Sequence, residues 1–513
     1  RICIVACGSS YHVGMVGKYN LERMLRRAVP VGVGFTLLKY LMPLILTPVM
    51  PSMPEQRTVV SACLTLGLFV ITVGLLAWRD LKTPAKKPLV FTKRARRLYG
   101  AAALLSLAAC ALVEAITLPP YIVYAAVAYL VWAAEVVEEP IEKRINAGYF
   151  RAAKKKLEER EDLIKIGITG SYGKTSTKFA LRDILSVKYN VLATPSSFNT
   201  PMGVSSVINN QLKRSHQVFI AEMGARHVGD IKEMCRLVHP TIGIITSVGP
   251  QHLETFKTIE RVASTKYELI EALPEEGSHA YFYDDGAYVR KMYDRTQKPK
   301  TLCGRDPATC DCWCDEVSVS AEGSRFMLHI RGAGSVECHT RLLGEHNIQN
   351  ILLAAAVASD LGLTLRQIAH GVEKLAPIKH RLELLSHPGN FTIINDAFNS
   401  NPVGAKAALE VLRGFPARRI IITPGMVELG EREAEYNREF GRLEMAACVD
   451  IAIIVGKNRA LPIIEGLKEA GFPEGNIHRV DSLDDSTRLL HSLVRPTDTV
   501  LYENDLPDHY QEA

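Results

Sequence analysis

The stretch Gly167–Thr177, Gly-Ile-Thr-Gly-Ser-Tyr-Gly-Lys-Thr-Ser-Thr, constrains this chain more than any other. The apolar residues Leu163, Ile164, Ile166 and Ile168 before it read as a buried strand, and Lys178–Leu185 after it has helical periodicity. Strand, glycine-rich turn and helix form the setting in which backbone N–H groups and a helix N-terminus hold phosphates. Gly170, Ser171, Tyr172, Gly173, Lys174, Thr175 and Ser176 are therefore the expected nucleotide-binding residues. Lys174 would reach the β/γ oxygens and the Thr175 hydroxyl would ligate Mg²⁺. A side chain at Gly170 or Gly173 would keep the backbone away from the phosphate. One departure stands out: the first glycine of the usual G-x-x-x-x-G-K-[ST] pattern would fall on Ile168, with Gly167 beside it.

Apolar residues are unevenly placed. Thr58–Trp78, Leu98–Val113 and Ala115–Ala134 carry no charge, and Val31–Met50 carries only Lys39. A membrane span takes ~20 apolar helical residues, so three or four transmembrane helices are expected within 31–137. Arg79, Lys82, Lys86, Lys87, Lys93, Arg94, Arg96 and Arg97 crowd one short connection, which marks it as cytoplasmic and able to attract anionic membrane lipids. The expectation is a multi-pass cell-membrane protein with cytoplasmic catalytic domains. The net charge of +6 is mild and dispersed, and implies no nucleic-acid partner.

A length of 513 residues suggests about three domains. Residues 1–30 resemble the opening strand and phosphosugar loop of the sugar-isomerase domain of glucosamine-6-phosphate synthase. One strand and one helix bury no core, so this fragment is assigned no activity. The first residue is Arg rather than Met, which implies a start further upstream. Residues 138–160 read as a charged helical linker, 161–380 as a central ATP-binding domain and 381–513 as a C-terminal domain.

Beyond residue 161 strand-like and helical patterns alternate, the signature of an α/β protein. Val218–Ala221 and Ile242–Thr246 read as buried strands of a parallel sheet. Ligands bind beyond the carboxyl ends of such strands, which puts Glu222 and His252 on the rim that carries Lys174. A carboxylate and an imidazole there suit a metal bridging nucleotide and substrate; capping a helix or tying a loop is the alternative use of either.

Several runs in one order carry a family resemblance. Gly167–Thr177, Asn199-Thr200-Pro201-Met202-Gly203, Glu222–Ala225, His252-Leu253-Glu254 and Lys266 are followed by Gly344–Asn350, Arg381, Asp396–Pro402 and Gly425–Gly430. Together they resemble the Mur ligases over about residues 161–505. The Asp396–Pro402 and Met426–Gly430 runs are most similar to the branch that adds D-alanyl-D-alanine to a muramoyl tripeptide. The resemblance implies a central phosphate-loop ATPase domain with a parallel sheet and a smaller, Rossmann-like C-terminal domain. It implies ATP and Mg²⁺, with Thr175, Glu222, His252 and Lys266 as metal ligands and Lys174, Glu222, His252 and Lys266 as catalytic residues. Lys266 would be the lysine carbamylated by CO₂; on its own, Thr265–Glu268 reads as helix with a surface lysine. Asn347 and Asn350 would contact adenine, unless they cap the helix that follows. Arg381 and Asp396 would complete the nucleotide site at a hinge, and Asn199, Thr200, Asn399 and Asn401 would face the substrates.

The chemistry so implied is amide ligation through an acyl phosphate, with cations and backbone dipoles stabilising charge on the phosphoryl oxygens. The family's usual UDP-gripping first domain is replaced here by apolar segments, so the acceptor is a muramoyl peptide or a lipid-linked relative. The donor is an amino acid or dipeptide. A ligase of another acid (wall amidation, polyglutamylation) and a non-catalytic membrane scaffold are the competing functions. Eleven scattered cysteines fit a reducing compartment. Cys303, Cys310, Cys312 and Cys314 lack paired C-x-x-C knuckles and are expected in an exposed loop as free thiols.

Overall fold

A computed structural model of the chain describes residues 92–115, 122–195, 198–320, 322–386, 389–397, 401–427 and 429–504. The fragment 1–30, the apolar segments Val31–Met50 and Thr58–Trp78, most of the basic connection, Asn399, Glu428 and the last nine residues lie outside the described residues. The chain divides into two compact units, Arg1–Gly148 and Tyr149–Ala513.

In the first unit the described structure is helical, Lys93–Ala115 and the beginning of Ile122–Glu158. Among the described residues no helix is long and apolar enough to cross a membrane. This corrects the expectation of a multi-pass membrane protein for Leu98–Val113 and Ala115–Ala134. The apolar letters belong to helices that also carry charge in their bodies. One starts on Lys93, Arg94, Arg96 and Arg97; the other runs into Glu135, Glu138, Glu139 and Glu142. Arg97 Nε donates to Glu138 at 2.9 Å and its Nη2 to Glu142 at 2.5 Å, pinning these charges to each other.

The second unit holds two sheets. The strands of the first are β1 (Ile164–Thr169), β2 (Val191–Ala193), β3 (Val218–Glu222), β4 (Ile242–Ile245), β5 (His279–Tyr283), β6 (Lys300–Gly304), β7 (Cys312–Ser320), β8 (Gly323–Ile330) and β9 (Gly334–Thr340), in spatial order β2-β3-β1-β4-β5-β6-β7-β8-β9. Pairing is parallel as far as β7, after which β7-β8-β9 form an antiparallel meander. β3 and β4 are buried along their whole length, as a sheet covered on both faces requires. The order turns at β1, which pairs with β3 on one side and β4 on the other. A crevice opens beyond the carboxyl ends at such a point.

Helix Lys174–Leu185 follows β1 and buries Lys178, Leu181 and Leu185 on one stripe, with Ala180 and Ile184 beside them. It packs against helix Glu345–Asp360, whose run Ile351–Ala358 is buried on every side between that helix and the sheet. On the opposite face Ala153 and Leu157, at the end of helix Ile122–Glu158, join the core of Phe219, Ile245 and Leu269. The end of the charged helix is thus anchored in that core.

The cysteine cluster sits on β6, β7 and their connection rather than in an exposed loop. Cys303, Cys310, Cys312 and Cys314 are buried free thiols. Strand alternation explains it: residues 312 and 314 share a face and pack inward, while Trp313 stacks on His329. Burial pushes the Cys314 thiol up to about 11. Among the described residues no group of three or more His, Cys, Asp or Glu is placed to hold a metal.

The second sheet contains β10 (Glu383–Ser386), β11 (Thr392–Asp396), β12 (Arg419–Thr423), β13 (Ile451–Val455), β14 (Ile477–Val480) and β15 (Thr499–Glu503), in order β10-β11-β15-β12-β13-β14. All pairs are parallel except β10 with β11. β12 and β13 are short apolar strands buried along nearly their whole length.

Candidate active site

The phosphate loop closes β1 and begins helix Lys174–Leu185. Gly170 (φ +152°) and Gly173 (φ +77°) occupy left-handed backbone, and a Cβ would collide with Thr246 Oγ1 at the first and Asn350 Oδ1 at the second. The helix has no side-chain cap at Gly173, so its first N–H groups are left for an anion. Lys174 Nζ folds back to Gly170 O at 2.6 Å and Ser171 O at 3.0 Å. Burial, with the Arg381 charge adding to it against the pull of Glu222, brings its pKa down to about 8.

Glu222, the last residue of β3, is 2 % exposed. Its carboxylate accepts from Thr175 Oγ1 at 3.1 and 3.2 Å, from Asn199 Nδ2 at 3.2 Å and from Lys178 Nζ at 2.8 Å. Burial works against ionisation there, but the charges of Lys178 and Lys174 outweigh it and hold the carboxyl below its ordinary range. Two oxygens about 3 Å apart also match neighbouring ligands of an octahedral ion bonded at about 2.0–2.1 Å. The Thr175–Glu222 pair therefore fits Mg²⁺, which usually takes one or two protein ligands and completes its shell with phosphate and water.

Lys178 is absent from the residues expected from sequence. It is fully buried, and donates to Pro195 O at 3.3 Å as well as to Glu222. One signal was available: position 178 lies one turn beyond Lys174, on the stripe shared with Leu181 and Leu185, where a lysine needs a buried partner.

Lys266 lies in helix Ile259–Glu271 and is 2 % exposed, not a surface lysine. Burial, with the Lys174 charge next in importance, drives its pKa well below that of a free lysine. The loop after β4 is fastened to the phosphate loop. Ser171 Oγ donates to Gly249 O and accepts from Gly249 N, both at 3.0 Å; Tyr172 N donates to Ser247 Oγ at 2.8 Å and Tyr172 Oη to Pro250 O at 2.7 Å. His252 follows two residues on, in left-handed backbone (φ 52°) at the start of the short helix Leu253–Phe256.

Asn350 accepts from Thr177 Oγ1 at 3.0 Å and abuts Gly173, so its side chain braces the phosphate-loop helix. Asn347 is not the helix cap, which is Gly344; its Nδ2 donates to Leu343 O at 2.8 Å. Arg381 and Asp396 interact electrostatically, and Arg381 also feels Glu222. Burial raises the Asp396 carboxyl to about 6, although Leu382 N donates to it at 3.1 Å. Of the residues expected to face substrate, Asn199 reaches Glu222. Thr200 and Asn401 accept from Gly203 N and Gly404 N as caps of helices Pro201–Gln211 and Pro402–Arg413. Ser176 lies in the first turn of the phosphate-loop helix.

Residues 168–358 match the Mur ligase middle domain and residues 380–502 the Mur ligase glutamate ligase domain. The UDP-N-acetylmuramoyl-tripeptide–D-alanyl-D-alanine ligase of Mycobacterium tuberculosis is 32% identical over 357 residues, covering 66% of this chain and 69% of that one. Its Bacillus subtilis counterpart is 30% identical over 304 residues, 59% and 64% of the two chains. In fold the chain is similar to MurF from Acinetobacter baumannii (TM-score 0.64, 24% identity, 70% of this chain and 77% of that one). It is likewise similar to the MurF ligase of Thermotoga maritima in complex with ADP (TM-score 0.62, 24% identity, 70% and 80%). The matched domains begin at residue 168 and lend no support to an isomerase fragment or a membrane segment before it.

Proposed function

The chain belongs to the Mur ligase family, and from that membership we propose a specific reaction and a role for each site residue. It is an ATP-dependent ligase of peptidoglycan precursor synthesis. The reaction proposed is addition of D-alanyl-D-alanine to a UDP-linked muramoyl tripeptide, in line with the names of its relatives. The observation that carries the reading is the buried grouping of Thr175, Glu222 and Lys178 one helical turn from Lys174, at the mouth of the phosphate loop. The names of the relatives give no support to the lipid-linked acceptor expected alongside the apolar segments.

Lys174 leaves the carbonyls of Gly170 and Ser171 for the β/γ oxygens, and Gly170 and Gly173 let the backbone N–H groups approach. Thr175 and Glu222 would hold Mg²⁺, with His252 and a carbamylated Lys266 as candidates for a second site. Bound there, the ion would neutralise phosphoryl oxygens and align the reacting groups. The acceptor carboxylate attacks the γ-phosphorus and ADP leaves; the donor amine attacks the resulting acyl phosphate and phosphate leaves. Lys266 is suited to its role because burial lowers its pKa and so favours the neutral amine that reacts with CO₂. Arg381 and Asp396 would complete the nucleotide site from the C-terminal side, Asn347 and Asn350 are assigned to its adenine end, and Asn199, Thr200, Asn399 and Asn401 to the substrate cleft.

Phosphate release by the full chain tests this. It is expected only when ATP, the UDP-linked muramoyl tripeptide and D-alanyl-D-alanine are all present. Release that ignores D-alanyl-D-alanine, or follows glutamate with a folate instead, would overturn the assignment.

A pH dependence follows from Lys174. Its free-state pKa is about 8, and an anionic phosphate favours the charged form. Affinity for ADP is therefore full near neutrality and falls as pH rises through that value, by up to about tenfold per unit. Calorimetry should show proton uptake on binding near the same pH. Unchanged affinity at high pH would contradict the lysine's assignment.

A further inference from the structure

The ion pair of Lys178 and Glu222 occupies the place where the proposed metal would bind. Glu222 Oε2 is 2.8 Å from Lys178 Nζ, and both side chains are sealed from solvent, at 2 % and 0 % exposure. The same carboxylate feels the charge of Lys174, and Arg381 interacts with all three groups. Three cationic side chains thus surround one carboxylate. Asp396, a second acid on this side, faces Arg381. Burial disfavours the charged form of Lys266, beside Lys174, while Asp230 and Glu268 act on it in the opposite sense.

A lone divalent cation entering this pocket meets an excess of positive charge in a weakly screening environment, and the oxygen it needs already has an ammonium partner. A polyanionic nucleotide meets the opposite: it draws Lys174 away from its resting carbonyls and supplies the negative charge that the pocket lacks.

We propose that Lys178 makes metal binding at Glu222 conditional on the nucleotide: it blocks divalent cations from the empty site and admits them only with the phosphates. In this role Lys178 is a positioning residue. It acts through the Glu222 carboxylate, and through Pro195 O it also ties the chain just beyond β2 to the phosphate helix. The inference rests on the reading of Glu222 as a metal ligand.

The test is direct binding of Mn²⁺, a paramagnetic substitute for Mg²⁺, followed by electron paramagnetic resonance without turnover. Nucleotide-free wild-type protein is expected to take up Mn²⁺ only weakly, and addition of ADP to create a bound population that Glu222→Gln abolishes. Lys178→Met keeps most of the length of the side chain and removes its charge. It should tighten Mn²⁺ binding to nucleotide-free protein by at least about tenfold, since one repelling charge at short range has been lost. A purely structural role would lower the melting temperature and leave that affinity unchanged or weaker, and either result overturns the proposal. So does tight Glu222-dependent Mn²⁺ binding by nucleotide-free wild-type protein, a measurement that needs no variant to fold. If no Glu222-dependent Mn²⁺ appears even with ADP, the metal-ligand reading itself fails and takes this inference with it.

Discussion

Lys174→Ala is expected to lower kcat/KM for the ligation by about 10²–10³ or more, the usual cost of removing one preorganised donor from developing charge. The side chain begins the phosphate-loop helix, and its ammonium now rests on Gly170 O and Ser171 O. Neither contact holds the fold together, because the loop is fastened independently by Ser171 to Gly249 and Tyr172 to Pro250. The melting temperature should therefore stay near that of the wild type while turnover collapses. Steady-state phosphate release, with thermal unfolding as a control, separates the two. Retained turnover in a folded variant would mean that this loop does not hold the triphosphate.

Lys266→Ala should also reduce turnover by about 10²–10³, for a different reason. Burial disfavours the ammonium form of this amine. As a carbamate it supplies a pair of anionic oxygens able to orient a cation. Truncation leaves a pocket that a small carboxylate can enter, so millimolar acetate or formate should restore part of the activity to Lys266→Ala and none to Lys174→Ala. ADP affinity should change little. If Lys266→Arg, which cannot form a carbamate under these conditions, proved fully active, the lysine would be serving as a plain cation.

Legibility in the sequence followed how local each signal is. The phosphate loop, β3 and β4 were readable because each is a short apolar run ending in polar residues, and a buried parallel strand looks like that wherever it sits. Glu222 was placed on the rim for the same reason. Lys178 was hidden, since only the three-dimensional approach of β3 to helix Lys174–Leu185 shows that a lysine on its buried stripe has a partner. The cysteines were misjudged as a loop because β7–β9 extend the sheet by an antiparallel meander, whose alternating pattern reads as a weak and polar strand. The apolar segments misled through composition: Leu98–Val113 looks like a span until Arg97 is seen paired with Glu138 and Glu142. Thr200 and Asn401, expected at the substrates, cap helices, a local use that the sequence Asn/Thr-Pro already permits.

The central claim is that the acceptor carboxylate is phosphorylated before the amine attacks it. An acceptor labelled with ¹⁸O in that carboxylate decides the matter when the inorganic phosphate from a complete reaction is analysed by mass spectrometry. The account predicts one labelled oxygen in each phosphate released, transferred from the carboxylate as the acyl phosphate breaks down. Phosphate free of label alongside ligated product would contradict it.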